Sequence, residues 1–274
     1  MSISTPNWQD AQQTILKPLV TTARFGVITD MDGTLSPIVR VPEEAAITPR
    51  SRELLRALAG ELALVAVVSG RAAADVQERV GLPELVYAGN HGLERWAAGR
   101  VELTPAAAAY RPALEAVLAR LPDHDIPGMQ IEDKGPTLSI HYRQTADPIQ
   151  AAATLQPVLD DLAADHDLRL FQGRMVFELR PPIDVHKGTA FRQLVQEHDL
   201  DAAVYLGDDT TDVDALRMAR ALREQDAAYC VGVGVDSDDM PADVGDSADV
   251  LAAGVSGVEA FLDWLLMARR ASST

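Results

Sequence analysis

Cysteine is nearly absent from this chain, with one residue, Cys230, in 274. A disulfide framework is therefore excluded, and a lone thiol fits a reducing compartment. Within Ala228-Tyr229-Cys230-Val231 it reads as a small buried hydrophobe. Basic residues are scarce as well: 24 Lys+Arg against 41 Asp+Glu give a formal net charge of −17. No positive footprint offsets phosphate, so nucleic acid and anionic membrane are excluded as general partners. An anionic small molecule is not excluded, provided a few cations and a metal are focused in one cleft. No stretch of roughly 18 apolar residues occurs, and no basic segment followed by an apolar one opens the chain. These absences point to a soluble, cytoplasmic protein. There is no internal repeat, and the short Ala106–Ala109 run is explained by helix propensity. What is present, 47% hydrophobic and 24% charged residues, is the composition of a globular protein with a substantial core.

Short continuous apolar runs alternate with amphipathic helices along much of the chain. Phe25–Thr29, Leu62–Val68, Ala202–Leu206, Tyr229–Val235 and Asp249–Leu251 read as strands, with helices near 50–59, 71–80, 187–198, 211–222 and 254–269. Runs without alternation suggest strands buried on both faces, as in a parallel sheet covered by helices. In the last helix Glu259 and Asp263 lie four apart on one face, while Phe261, Leu262, Leu265 and Leu266 cover another. Residues 1 to about 22 read as a helix interrupted by Pro18. The fold class is α/β, a doubly wound Rossmann-like core.

Between about 105 and 180 the rhythm changes to period-2 alternation, the mark of a sheet with one buried and one open face. Met129 and Ile131 oppose Gln130, Glu132 and Lys134; Leu138, Ile140 and Tyr142 oppose Thr137, Ser139, His141 and Arg143; Met175, Phe177 and Leu179 alternate with Val176, Glu178 and Arg180. Helices at about 107–120 and 149–164 would cover the apolar side. A core of 1–104 and 181–274 thus carries a smaller α+β domain over 105–180. Two connections, near 104 and at Pro181-Pro182, suggest hinge closure around a ligand, with the prolines stiffening the link.

Ligands of doubly wound sheets bind beyond the carboxyl ends of the strands. Here those ends carry Asp30 and Asp32, Ser69, and Asp208 and Asp209, with Gly33 and Gly70 permitting tight turns. One aspartate after a strand is more commonly a helix cap or turn residue. Carboxylates at neighbouring strand ends make instead a hard-oxygen site of the kind Mg²⁺ prefers.

Asp30-Met31-Asp32-Gly33-Thr34-Leu35 resembles the first motif of the haloacid dehalogenase superfamily. Ser69-Gly70-Arg71, His186-Lys187-Gly188 and Gly207-Asp208-Asp209-Thr210-Thr211-Asp212 are similar to its second, third and fourth motifs, in order. The resemblance implies that Asp30 is a nucleophile forming an aspartyl-phosphate, and that Asp32 protonates the leaving oxygen and then activates water. It further implies Mg²⁺ on the side chains of Asp30 and Asp208 and the backbone carbonyl of Asp32, with Asp209 and Asp212 behind them. Ser69 and Lys187 would hold the phosphoryl oxygens, the lysine as a point charge. After Asp212 the chain has Val213 where that superfamily usually has an acid, which removes one charge from the outer ring.

Within the superfamily, Ala88–Glu94, Ile131–Gly135, His141-Tyr142-Arg143 and Phe177–Arg180 resemble the trehalose-6-phosphate phosphatases. Together with the core motifs the likeness covers most of 24–215. It implies a phosphoric monoester hydrolase of trehalose biosynthesis whose inserted domain is a cap reading the sugar. Glu132, Lys134 and Glu178 would contact sugar hydroxyls, Thr34, Gly70, Arg71, Asn90 and His91 would serve the substrate from the core, and His141 and Arg143 either touch substrate or order the cap sheet. Polyol sites of this kind reject analogues lacking the hydroxyls. Three alternatives stand beside trehalose 6-phosphate hydrolysis: another phosphorylated glycoside (glucosyl- or mannosyl-3-phosphoglycerate, sucrose 6-phosphate), a non-catalytic domain that binds a sugar phosphate to regulate a synthase, and phosphotransfer to an acceptor other than water. A sugar-phosphate synthase of the same pathway is a candidate partner, and monomer is the default state. His124 and His198 read as surface residues, and Trp96 and Trp264 as core.

Overall fold

The computed structural model describes residues 5–39, 44–121, 126–173, 175–237 and 240–272. The chain divides into two compact units, Met1–Val101 with Val185–Thr274, and Glu102–Asp184. The expected insertion of 105–180 lies inside the second.

In chain order the elements are α1 (Lys17–Thr21), β1 (Phe25–Thr29), α2 (Pro49–Ala59), β2 (Leu64–Val68), α3 (Ala73–Val80), β3 (Val86–Gly89), β4 (Glu94–Ala97) and β5 (Arg100–Leu103). Next come α4 (Pro105–Ala108), α5 (Arg111–Arg120), β6 (Gln130–Asp133), β7 (Leu138–His141), α6 (Pro148–Asp165), β8 (Arg169–Gly173) and β9 (Val176–Arg180). The remainder are α7 (Lys187–Glu197), β10 (Ala202–Gly207), α8 (Val213–Glu224), β11 (Tyr229–Asp236), α9 (Ala242–Ser247), β12 (Val250–Ala253) and α10 (Gly254–Ser272).

The larger unit is built on a sheet in the order β12-β11-β10-β1-β2-β3-β4-β5, parallel from β12 to β3 and antiparallel from β3 to β4. The central strands are buried end to end, which is why their sequences run continuously apolar. Alternate residues feed two cores. Val27, Val65, Val67, Val204 and Val233 pack beneath α2, α3 and α10, while Ile28, Ala66, Val68, Ala203 and Cys230 pack beneath α7, α8 and α9. Helices on both faces make the unit doubly wound, as the sequence pattern leads one to expect. On α10, Glu259 accepts from the Thr48 hydroxyl and Asp263 pairs with Arg50 at 2.8 Å, so both acids face α2 while Phe261, Leu262, Leu265 and Leu266 are buried. Trp96 and Trp264 are only partly buried against the first core.

The N-terminal stretch corrects the expectation of one interrupted helix. It forms a 3-10 turn at Trp8–Ala11 and then the five-residue α1, with Pro18 in the first turn. Proline lacks an N–H that the first turn leaves unused, so it starts this helix. Ahead of them, Asn7 bridges Leu251, and the Leu251 N–H donates to the Pro6 carbonyl at 2.9 Å, covering the outer edge of β12.

The smaller unit is an antiparallel sheet, β6-β7-β9-β8, with one face covered by α5 and α6 through Leu114, Val117, Leu155 and Leu159 against Leu138, Ile140, Phe177 and Leu179. Met175 departs from its expected inward place: it precedes β9 at φ 63° and is 39% exposed. Thr137 and Ser139 point to the opposite face yet are buried. The expected helix over 107–120 is two, because Pro112 restarts the chain as α5. His124 lies outside the described residues, and His198 is half-buried at the end of α7.

Candidate active site

Strands β10, β1 and β2 are neighbours, so their carboxyl ends place Asp208, Asp30 and Ser69 side by side. Directly after β1 the chain turns: the Gly33 N–H donates to the Ser36 carbonyl and Asp32 bridges Ser36. Gly33 sits at φ 76°, and a Cβ there would lie 1.9 Å from Asp208 Oδ2, so a side chain at this position would be strained and would displace the Asp208 carboxylate.

Asp30, Asp208 and Asp212 are all buried, and one carboxylate oxygen of each lies within 4.8 Å of the others. Among the described residues one ammonium is paired with them. Lys187, the first residue of α7, places Nζ 3.1 Å from Asp30 Oδ1 and 2.8 Å from Asp212 Oδ1. Tyr205 donates its hydroxyl to the same Asp212 oxygen at 2.5 Å, and the Asp209 N–H donates to Asp212 Oδ2 at 3.1 Å. Thr34, expected at the substrate, is fully buried and donates to Asp208 Oδ1 at 3.1 Å.

Burial pushes the Asp30 carboxyl well above its ordinary range; Lys187 opposes this, and the charges of Asp212 and Asp208 reinforce it. Asp208 is pushed up to about 6, by burial first and then by Asp212, against the Thr34 hydrogen bond and Lys187. Burial works against the Lys187 ammonium, but Asp212 and Asp30 outweigh it and hold the lysine charged. Three carboxylates against one ammonium leave negative charge in a dry place, which is tolerated only when it is neutralised or coordinated. The donor set is hard oxygen and fits a divalent cation such as Mg²⁺.

Asp32, two residues on from Asp30, accepts from Arg71: Nε donates to Oδ2 at 2.6 Å and Nη2 to Oδ1 at 3.0 Å. Arg71 also meets Asp75 at 3.1 Å, and Asp75 is held by Arg79 at 2.7 Å. Ser69 is buried, and its Oγ accepts from the Arg71 N–H at 3.2 Å. Gly70 lies under the His91 imidazole, where a Cβ would come within 2.8 Å of the ring. Asn90 and His91 are both left-handed, at φ 48° and 60°. Asp209 is exposed, and its carboxylate caps the turn at Thr210, accepting from that N–H at 2.6 Å.

In the smaller unit the register sets Glu132, Ser139, Glu178 and Phe171 in one row across the open face, with His141 one step along. His141 Nε2 is 3.1 Å from Glu132 Oε2, Lys134 Nζ is 3.9 Å from the same oxygen, and Arg180 pairs with Glu178 while stacking 4.9 Å over Phe171. Arg143 is exposed in the turn after β7.

Sequence reasoning passed over Tyr205, Asp75 and Glu94, and left open whether Arg180 meets the substrate. Tyr205 had a legible signal, a lone phenol in a strand buried on both faces, whose hydroxyl must find a partner. Arg180 had a weaker one, two residues from Glu178 on the same strand face.

The trehalose-phosphatase family model matches residues 28–244, a span that contains every core residue of this site. The chain belongs to the trehalose-phosphatase family. A trehalose-phosphate phosphatase from Mycobacterium marinum is 41% identical over 215 residues, covering 75% of this chain and 54% of that one. The chain thus spans about half the length of the curated relatives it matches. Among solved structures, the C-terminal domain of a Candida albicans trehalose-6-phosphate phosphatase superposes with TM-score 0.71 at 22% identity, covering 96% of this chain and 99% of the other. An Aspergillus fumigatus trehalose-6-phosphate phosphatase gives TM-score 0.64 at 25% identity, again covering 96% and 99%. The resemblance carried by the sequence segments is borne out, and so is the α/β fold of this trehalose-phosphatase family member.

Proposed function

We propose that the chain is a phosphoric monoester hydrolase that converts trehalose 6-phosphate to trehalose and phosphate. The observation that carries this reading is the buried set of Asp30, Asp208 and Asp212 around Lys187, in a chain of the trehalose-phosphatase family. Asp30 attacks phosphorus; an aspartyl–phosphate bond forms as the ester P–O bond breaks, and Asp32 gives its proton to the sugar oxygen. A water then loses its proton to Asp32 and attacks the same phosphorus; the acyl-phosphate P–O bond breaks, releasing phosphate and restoring Asp30.

Lys187 neutralises Asp30 and meets the incoming phosphoryl oxygens, and Tyr205 and the Asp209 N–H keep Asp212 in place behind it. Asp30, Asp208 and the Asp32 carbonyl would hold Mg²⁺, with Asp212 closing the carboxylate ring. When bound, the ion supplies charge that screens carboxylate from phosphate and stabilises the transferring group. Arg71 fixes where the Asp32 carboxylate stands, and Ser69 presents its hydroxyl to the phosphate.

The smaller unit serves as a cap, with Glu132, Lys134 and Glu178 reading hydroxyls and His141 ordering the sheet through Glu132. Trehalose is favoured over a phosphoglycerate ester because Lys134 and Arg180 are already answered by Glu132 and Glu178, which suits a neutral polyol better than an extra carboxylate. The lone buried thiol supports a cytoplasmic setting, and among the described residues no helix is long and apolar enough to cross a membrane.

The test is phosphate release with Mg²⁺ from trehalose 6-phosphate, sucrose 6-phosphate, glucosyl- and mannosyl-3-phosphoglycerate, glucose 6-phosphate and an aryl phosphate, each beside Asp30→Asn. We expect strong preference for trehalose 6-phosphate and loss of turnover in D30N. Preference for a glycerate or sucrose ester would move the substrate and keep Asp30. Silence across the panel would overturn the enzymatic reading.

A further inference from the structure

Glu94 opens β4, is 2% exposed, and has no part in the chemistry above. It sits opposite Gly89 in the β3–β4 register, at the end of the sheet that holds the site. Its carboxylate accepts the N–H of Ala73, the first residue of α3, at 2.6 Å, and the Asn90 side chain hydrogen-bonds to the same group. The α3 N-cap residue, Ala72, has no side chain able to cap. A carboxylate from a different strand therefore does what Ser or Asp does locally at other helices.

Around this carboxylate the backbone is tightly bound. A Cβ on Gly89 would lie 2.1 Å from the Ala73 nitrogen, so β3 ends in direct contact with the start of α3. The Asn90 N–H donates to the Arg71 carbonyl at 2.8 Å and the His91 N–H to the Ser69 carbonyl at 2.9 Å. Residues 69–72 are thus strung between two anchors, the Asn90-His91 turn and Ala73, and Glu94 binds Asn90 in the first and Ala73 in the second. Two consecutive non-glycine residues at positive φ persist only where their surroundings over-determine them. The loop so held carries Ser69 and Arg71, and Arg71 grips Asp32.

We propose that Glu94 is a positioning residue for the phosphate-side loop: by holding Ala73 and Asn90 together, it keeps Ser69, Arg71 and the Asn90-His91 turn in one arrangement. The inference rests on the phosphatase reading above. It acts through a loop that every phosphomonoester shares, so its loss lowers kcat on trehalose 6-phosphate and on a small aryl phosphate alike and leaves the preference between them unchanged. A residue that merely stabilised the hairpin would lower the folded fraction and leave kcat per folded molecule untouched.

The experiment compares wild type, Glu94→Gln and Glu94→Ala by thermal unfolding, by kcat and KM on both substrates, and by hydrogen exchange over 69–73 and 88–92 against β10. Misplacement of about 1 Å can cost around a hundredfold, so E94A is expected to lose roughly 10- to 100-fold in kcat on both substrates. E94Q, which keeps an acceptor for Ala73, recovers most of that loss, and faster exchange is confined to the two segments. Unchanged kcat per folded E94A molecule, or exchange rising through β10 as well, overturns the proposal. A wild type that cleaves aryl phosphate but not trehalose 6-phosphate ends the substrate reading and leaves the Glu94 comparison decided on the aryl phosphate. If neither ester is cleaved, confined exchange supports the proposal and spread exchange ends it.

Discussion

Asp30, Asp208 and Asp212 share one ammonium, and that imbalance decides how the site answers protons and ions. The Asp208 carboxyl, pushed up to about 6 by burial and by Asp212, binds its proton more tightly folded than unfolded. The sign follows: this group costs stability above pH 6, and the cost is relieved as pH falls through 6 toward the unfolded value near 3.9. A divalent cation does the proton's work at neutral pH and must displace the proton in acid. Mg²⁺ should therefore raise the melting temperature clearly at about pH 7.5 and much less at about pH 5; equal shifts at both would show that Asp208 is not among its ligands. Asp30, Ser69, Lys187 and Asp208 could be picked out from the sequence because each follows a strand or opens a helix in a recognisable motif. Tyr205, Glu94 and Arg180 could not be placed so readily. Their roles come from where the hydroxyl, carboxylate and guanidinium end up, and no local spacing encodes that.

At the scale of elements, legibility followed burial. Strands such as Leu64–Val68 are enclosed on both faces and announce themselves as apolar runs. The short β4 and β5, with Glu94, Arg95, Arg100 and Glu102, and the edge strand β8, with exposed Arg169 and Gln172, have no such run, and only their neighbours make them strands. The strongest local conflict lies in α6, which carries Pro157 in its interior on the exposed side. Its ring forfeits one helical hydrogen bond and buries nothing in return. Pro157→Ala should stabilise the smaller unit by about 1–3 kcal/mol. The three tryptophans, Trp8, Trp96 and Trp264, all belong to the larger unit. Denaturation followed by circular dichroism should thus shift in P157A while the tryptophan fluorescence midpoint stays; a shift in fluorescence alone would refute the assignment.

The molecule as a whole is strongly acidic, and of its three lysines one, Lys187, stands at the centre of the carboxylate cluster. Surface charge of one sign keeps copies apart and weakens as salt screens it. A second safeguard is mechanical. The N-terminal stretch lies along β12, with Pro6 accepting from Leu251 and the Thr5 hydroxyl donating to the Gly245 carbonyl at 2.7 Å. Cutting the chain after Asn7 would bare the Leu251 N–H on the outer edge of an apolar strand, a starting point for strand addition. Light scattering of such a trimmed protein should show self-association in high salt that the intact protein does not, so residues 5–7 act as a guard on solubility that net charge alone cannot replace.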